Sequence, residues 1–172
     1  MIVVYILLGL VGALLLVAAI LPSSYAVSKS IVIARTPLEV HGKVADLNHY
    51  KDWNPWQKTD PSASSTITGQ PDTVGHRYGW NGKKVGEGSL TLRKSDPGRA
   101  LEFDLEFIRP FKSRANDLWA FEPATNGTRV TWSNNGPLPY PMARLFGPIL
   151  KGQLEKQFEA GLSDLKALCE RA

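Results

Sequence analysis

The sequence predicts an α+β domain in which an antiparallel sheet packs against one long amphipathic helix, carried behind an N-terminal helix able to cross a membrane. Three observations predict it. Residues 2–21 are one continuous apolar run of 20 residues. From Ser64 onward the chain breaks into short segments with period-two alternation, and from about Tyr140 to Arg171 the period becomes helical. At 172 residues the chain holds one domain with a real core and an appendage, and a second full domain is not expected.

The first 28 residues contain no Asp, Glu, Lys or Arg. At ~1.5 Å rise per residue, "IVVYILLGLVGALLLVAAIL" spans the ~30 Å hydrocarbon core of a bilayer. Residues 1–22 are therefore expected to be a single-pass membrane anchor. The competing reading is a cleaved signal peptide, for which Ser24 and Ala26 offer a small-x-small site, although the basic leading region is missing and the apolar run is too long. Lys29 and Arg35 are the nearest flanking charges and lean toward a cytoplasmic domain, leaving the side of the membrane open.

Beyond the anchor, "YAVSKSIVIA" places Tyr25, Val27, Ile31 and Ile33 on one face of a strand. "TPLE" then supplies a capping box, with Thr36 as N-cap, Pro37 at the first helical position and Glu39 three residues after the cap. The helix it opens, to about Leu47, presents Val40, Val44 and Leu47 on one side. "NHYKDWNPWQKTDPS" follows as a turn-rich stretch in which Trp53 and Trp56 need an apolar place to go. Six strand-like segments come next: "STITG", "GHRYGWNG", "KVGEGSLTLRKS", "ALEFDLEFI", "SRANDLWAFEP" and "GTRVTWSNN". In "LEFDLEF", Leu101, Phe103, Leu105 and Phe107 alternate with Glu102, Asp104 and Glu106, so one sheet face is dry and the other wet. Asn126 and Gly127 read as a type I′ hairpin turn. In the last segment Leu154, Phe158, Leu162, Leu165 and Cys169 recur at helical spacing and extend a stripe begun by Met142, Leu145, Phe146 and Ile149, with a break or kink expected near Pro148.

Several function classes fall away. The balance of 20 Lys and Arg against 16 Asp and Glu is only mildly basic and the charges are interspersed, so nucleic acid is not an expected partner. Cys169 is the only cysteine, which excludes an intrachain disulfide, a CxxC redox pair and a Cys-based zinc site. His41, His49 and His76 lack metal-ligand spacing, so neither a metal nor a cofactor is expected. "GKKVGEG" lacks the pattern of a phosphate loop and reads as a hairpin. The Glu102, Asp104 and Glu106 row faces away from the dry side and reads as solvated.

The order strand, "TPLEV" helix, "DLNHYKDWNPW", "VGHRYGWNGKKVGEGSLTL", "LEFDLEFIRPF", "WAFEPATNGTRVTW" and terminal helix resembles the START-like, or SRPBCC, superfamily, within it the polyketide cyclase/dehydrase and lipid-transport group. The resemblance covers about Tyr25 to Leu168, making residues 25–172 one START-like domain. It implies a helix-grip fold, in which a seven-stranded sheet wraps the C-terminal helix around an apolar cavity closed at one end by two short helices. Trp53 and Trp56 would then guard the cavity mouth, or serve as core plugs that fix the short helices. Trp80, Phe103, Phe107, Trp119 and Phe158 would line the wall, with His76 and Tyr78 beside Trp80 as its polar members.

Two readings of function follow. One is a membrane-anchored carrier or binding domain whose partner is a hydrophobic small molecule, such as a lipid, an isoprenoid or a polyketide-like compound. The other is a cyclase/dehydrase-like enzyme in which His76, Tyr78 or Arg77 steers an enolate. A protein-interaction module is a third, and would need an exposed apolar patch. The sequence leaves the oligomeric state open.

Overall fold

The computed structural model describes residues 1–171 and begins with helix α1 (Ile2–Ile20), which is long and apolar enough to cross a membrane and is almost wholly exposed. A signal sequence near an N-terminus can also meet this test of length and composition. Strand β1 (Ser24–Ile33) follows, and the capping box opens α2 (Pro37–Ala45). The Glu39 N–H donates to Thr36 Oγ1 at 3.4 Å, and the Thr36 N–H donates to Glu39 Oε2 at 2.8 Å. Thr36→Ala should lower stability by about 1 kcal/mol, read as a shift of the denaturant midpoint at unchanged slope.

Helix α2 ends two residues earlier than the hydrophobic spacing suggests, because Asp46 takes an extended conformation and its side chain accepts the Asn48 N–H at 3.0 Å. The turn-rich stretch is three short helical pieces: a 3-10 turn (Leu47–His49), α3 (Tyr50–Trp53) and α4 (Pro55–Thr59). Asn54 separates the last two and caps α4 by accepting the Trp56 N–H at 2.8 Å, with Pro55 at the first helical position.

The six remaining strands fall where the alternation places them. They are β2 (Ser64–Thr68), β3 (Arg77–Asn81), β4 (Glu87–Asp96), β5 (Ala100–Arg109), β6 (Ser113–Ala124) and β7 (Gly127–Pro137). All neighbours pair antiparallel in the order β1-β7-β6-β5-β4-β3-β2. β2 to β7 thus form a meander, β1 closes onto β7, and α2 to α4 carry the chain from one sheet edge to the other. Helix α5 (Met142–Glu170) packs on β1, α3 and α4. Leu101 and Phe103 are buried on the inner face. On the outer face Glu102 pairs with Arg93 at 2.7 Å and Glu106 with Arg114 at 2.9 Å.

Three expectations are corrected. The break allowed for near Pro148 is absent: helix α5 continues through this residue, which sits in its exposed N-terminal part, where one missing backbone hydrogen bond does not end a helix of 29 residues. The apolar stripe of α5 is buried only from its second half onward. Phe158, Leu162, Leu165 and Cys169 are in the core, whereas Met142, Phe146 and Ile149 are each more than half exposed. The β6–β7 turn is Thr125–Asn126, one residue earlier than the Asn-Gly reading. Neither residue takes a positive φ, so it is not a type I′ turn, and Gly127 follows it at φ +131°.

Candidate functional site

Alternation on β6 and β7 sends Asp117, Trp119 and Phe121 from one strand, and Val130, Trp132 and Asn134 from the other, to the same inner face. The register sets Trp119 opposite Trp132 and Asp117 opposite Asn134. The two indoles stack with centroids 4.6 Å apart, and Phe158 of α5 lies parallel on the other side of Trp132 at 4.0 Å and 3°. Trp53 of α3 meets both tryptophans edge to face at 5.5 and 5.8 Å, and Trp56 of α4 meets Trp132 and Phe158 the same way. Tyr50 joins Trp53 to Tyr78 of β3 through edge contacts at 5.0 and 4.9 Å.

In the middle of this apolar cluster stands a carboxylate. Asp117 is 4% exposed and accepts three hydrogen bonds: from Trp119 Nε1 at 2.8 Å, Trp132 Nε1 at 2.8 Å and Asn134 Nδ2 at 3.3 Å. The Tyr25 hydroxyl extends the network by donating to Asn134 Oδ1 at 2.7 Å. Burial pushes the Asp117 carboxyl up to about 6, against the lowering effect of its three donors. The same burial, with the charge of Asp117 adding to it, raises Tyr25 to about 12 and holds Tyr50 well above the ordinary phenol range. Tyr78 is raised by burial as well.

Val44, Leu47, Tyr50, Trp53, Leu90, Phe103, Asp117 and Trp119 line a small space between the sheet and the short helices. It amounts to about 160 Å³ between atoms, none of it open to a water molecule. Trp53 of α3 packs on Trp119 and Trp132 of the sheet, which puts the short helices in contact with the sheet. Its Nε1 is the one buried side-chain polar atom among the described residues without a hydrogen-bond partner. An unpaired buried donor of this kind costs about 1–3 kcal/mol.

The nine residues singled out from sequence separate into three groups. Trp53, Trp56, Tyr78, Phe103, Trp119 and Phe158 join one core cluster. Trp80 and Phe107 touch each other at 5.8 Å at its rim, where the Trp80 indole donates to the Val85 carbonyl. His76 lies apart and fully buried. Its Nε2 accepts the Leu47 N–H at 3.0 Å, so its proton is on Nδ1, which donates to the Thr68 carbonyl at 3.0 Å. Both nitrogens are committed to backbone groups, which makes His76 a tie between the 3-10 turn after α2 and the β2–β3 hairpin. Arg77 is exposed on the opposite strand face and cannot steer anything inside.

Asp117, Trp132, Asn134 and Tyr50 were missed as site residues. The signal was present, since Asp117 shares the parity of Trp119 and Phe121 in "DLWAF", and a carboxylate on a dry face demands partners. Among the described residues no group of three His, Cys, Asp or Glu is placed to hold a metal.

A family model described as "Polyketide cyclase / dehydrase and lipid transport" matches residues 25–170. No curated protein matches the chain. Among solved structures, protein CV1439 from Chromobacterium violaceum is similar with a TM-score of 0.63 at 14% identity, covering 84% of this chain and 96% of that one. TTHA0849 from Thermus thermophilus aligns with a TM-score of 0.62 at 19% identity, covering 86% and 98%. The di-domain ARO/CYC StfQ of the steffimycin biosynthetic pathway aligns with a TM-score of 0.64 at 11% identity over 86% of this chain and 51% of its own. At these identities the likeness is one of fold.

Proposed function

Since the chain belongs to the polyketide cyclase/dehydrase and lipid transport family, whose fold serves hydrophobic ligand binding or cyclisation, we propose that it is a membrane-anchored binding domain for a hydrophobic small molecule. The ligand enters between the sheet and α3–α4 by displacing Trp53. The observation that carries this reading is the Trp53 side chain itself: it plugs the aromatic interior while leaving its own indole N–H unpaired. A ligand that takes the place of the plug relieves that cost and gains the contacts with the stacked Trp119 and Trp132 pair that Trp53 now makes. The carboxylate of Asp117 supplies the single polar group to orient it, in keeping with sites that are mostly apolar with a few placed polar groups. A bilayer tether through α1 shortens the path from membrane to interior.

Native mass spectrometry of the full chain, extracted from its own membrane in mild detergent, tests this. The expected result is a small apolar molecule carried at one per chain, with lower occupancy in Trp53→Phe, whose ring carries no unpaired N–H and so gives the ligand no such cost to relieve. A chain that emerges bare, and whose Trp fluorescence gives no saturable change with farnesol, oleate or an anthraquinone, would overturn it.

A second reading is favoured by one observation, the elevation of Asp117 to about 6, which suits a carboxyl to proton transfer near neutral pH. In a cyclase/dehydrase, Asp117 rather than His76 would be the acid–base group, and Asp117→Asn would then remove turnover of a polyketide-like substrate while leaving its binding.

A further inference from the structure

Charges that are scattered along the sequence are gathered by the fold. β1 begins, β7 ends, and the β3–β4 and β5–β6 turns all lie at one end of the sheet, as the pairings Ser24 with Pro137, Asn116 with Asn135 and Glu87 with Arg109 require. This is the end at which α1 joins. The stretches that make it up, 21–28, 82–86, 109–114 and 137–144, contain Lys83, Lys84, Arg109, Lys112, Arg114 and Arg144 and no Asp or Glu. Carboxylates do reach it from adjoining positions: Glu87 pairs with Arg109 at 2.7 Å, Glu106 with Arg114, and buried Asp60 accepts the Lys84 N–H. Lys83, Lys84 and Lys112 are exposed and form no ion pair among the described residues. At the opposite end of the sheet the signs are mixed, with Glu39, Asp72, Asp96 and Glu122 among Arg99 and Arg129.

Apolar side chains stand out at the same anchor end. Phe111, at the tip of the β5–β6 turn between Arg109 and Lys112, is 81% exposed. The unburied part of the α5 stripe, Met142, Phe146 and Ile149, projects next to Tyr140, which is half exposed. The Tyr140 hydroxyl donates to the carbonyl of Leu15 in α1 at 3.2 Å. Leu15 lies five residues, or ~8 Å, before the end of α1 at Ile20. The whole helix is only ~28 Å long against a hydrocarbon core of ~30 Å, so a domain that touches it at Leu15 cannot stand clear of the bilayer. The Tyr140 hydroxyl is thereby brought within ~8 Å of the end of the span, on the hydrocarbon side of the interface.

We propose that the anchor end of the domain is a membrane-docking face: Phe111 and the first turns of α5 insert into the interface of an anionic bilayer while Lys83, Lys84 and Lys112 contact its headgroups. The occupant is a bilayer because the patch is continuous with a span, and an anionic one because the exposed unpaired charges, Lys83, Lys84 and Lys112, are all positive. Each such Lys near an anionic surface adds an attraction that salt screens. Bare exposed apolar rings bounded by Lys and Arg are the composition of interfacial segments. The proposal rests on α1 as a bilayer span, and it adds that the domain lies on the membrane instead of swinging from a tether.

The test uses the full chain in a Cys169→Ala background, reconstituted in nanodiscs of neutral lipid or of neutral lipid with phosphatidylglycerol. An NBD label is attached at Phe111→Cys or, as a control at the opposite end, at Asn126→Cys. In anionic discs the label at position 111 is expected to shift to the blue and to be quenched by shallow spin-labelled lipid. The shift should be lost on adding salt or in the Lys83→Glu, Lys84→Glu, Lys112→Glu variant, and the label at 126 should stay aqueous throughout. A label at 111 that remains aqueous in anionic discs would overturn the proposal, as would a blue shift seen only when two chains share a disc, which marks self-association. Extraction of the unlabelled chain from vesicles by alkaline carbonate is the separate outcome that removes the span itself.

Discussion

Replacing Phe158 by alanine is expected to lower stability by about 3–5 kcal/mol, the usual cost of deleting a buried aromatic ring. The ring is 1% exposed, lies flat on Trp132 at 4.0 Å and meets Trp56 edge-on, so its removal strips a face from each of two tryptophans. Helix α5 also loses its central contact with the cluster. Phe146→Ala gives the internal comparison: it removes the same ring from the same helix at an exposed position, so the change should stay within about 0.5 kcal/mol. Guanidinium unfolding of the full chain in micelles, followed by Trp fluorescence, reads both. Equal midpoints for the two variants would show that α5 grips the sheet by some other face.

How far this was legible from sequence depends on what each residue had to reveal. Periodicity is a local property, and it located β1, the six meander strands and the buried half of α5, because a strand with one dry face cannot hide its alternation. The capping box at Thr36 to Glu39 was equally local. Depth was not legible. Nothing in "MARLFGPIL" distinguishes a stripe that meets the sheet from one that runs past its edge, and Met142, Phe146 and Ile149 run past it. Hydrogen-bond commitments were not legible either. His76 looked like a titratable group in a pocket, and only the long-range contacts to Leu47 and Thr68 show both its nitrogens occupied. Trp53 and Trp56 were correctly marked as needing an apolar site. That they would pack on the sheet follows from the β6–β7 register, which brings Trp119 and Trp132 together beneath them.

The stability of the chain is expected to carry an inverted signature of Asp117 between pH ~4 and ~7. A carboxyl whose folded pKa is raised, here from 3.8 to about 6 by burial, binds its proton more tightly in the folded chain than in the unfolded one. Its contribution is therefore present in full below the unfolded value and is lost as pH rises through the folded one, opposite to an ion-paired surface carboxylate. At 1.36 kcal/mol per pKa unit the loss is about 3 kcal/mol, complete above pH ~7. The groups facing Asp117 do not titrate in that window: Tyr25 from β1 and Tyr50 from α3 both have raised values, and Trp119, Trp132 and Asn134 are neutral. His41, lowered by burial, gives the opposite slope in part of the same range, so the informative quantity is the difference between wild type and Asp117→Asn, in which His41 cancels. That difference should fall by about 3 kcal/mol from pH ~4 to ~7 and then level. A difference that rises with pH would mean that the three N–H donors, which favour the carboxylate, outweigh the burial that opposes it, leaving Asp117 ionised at every pH where the chain is folded and unfit to give up a proton.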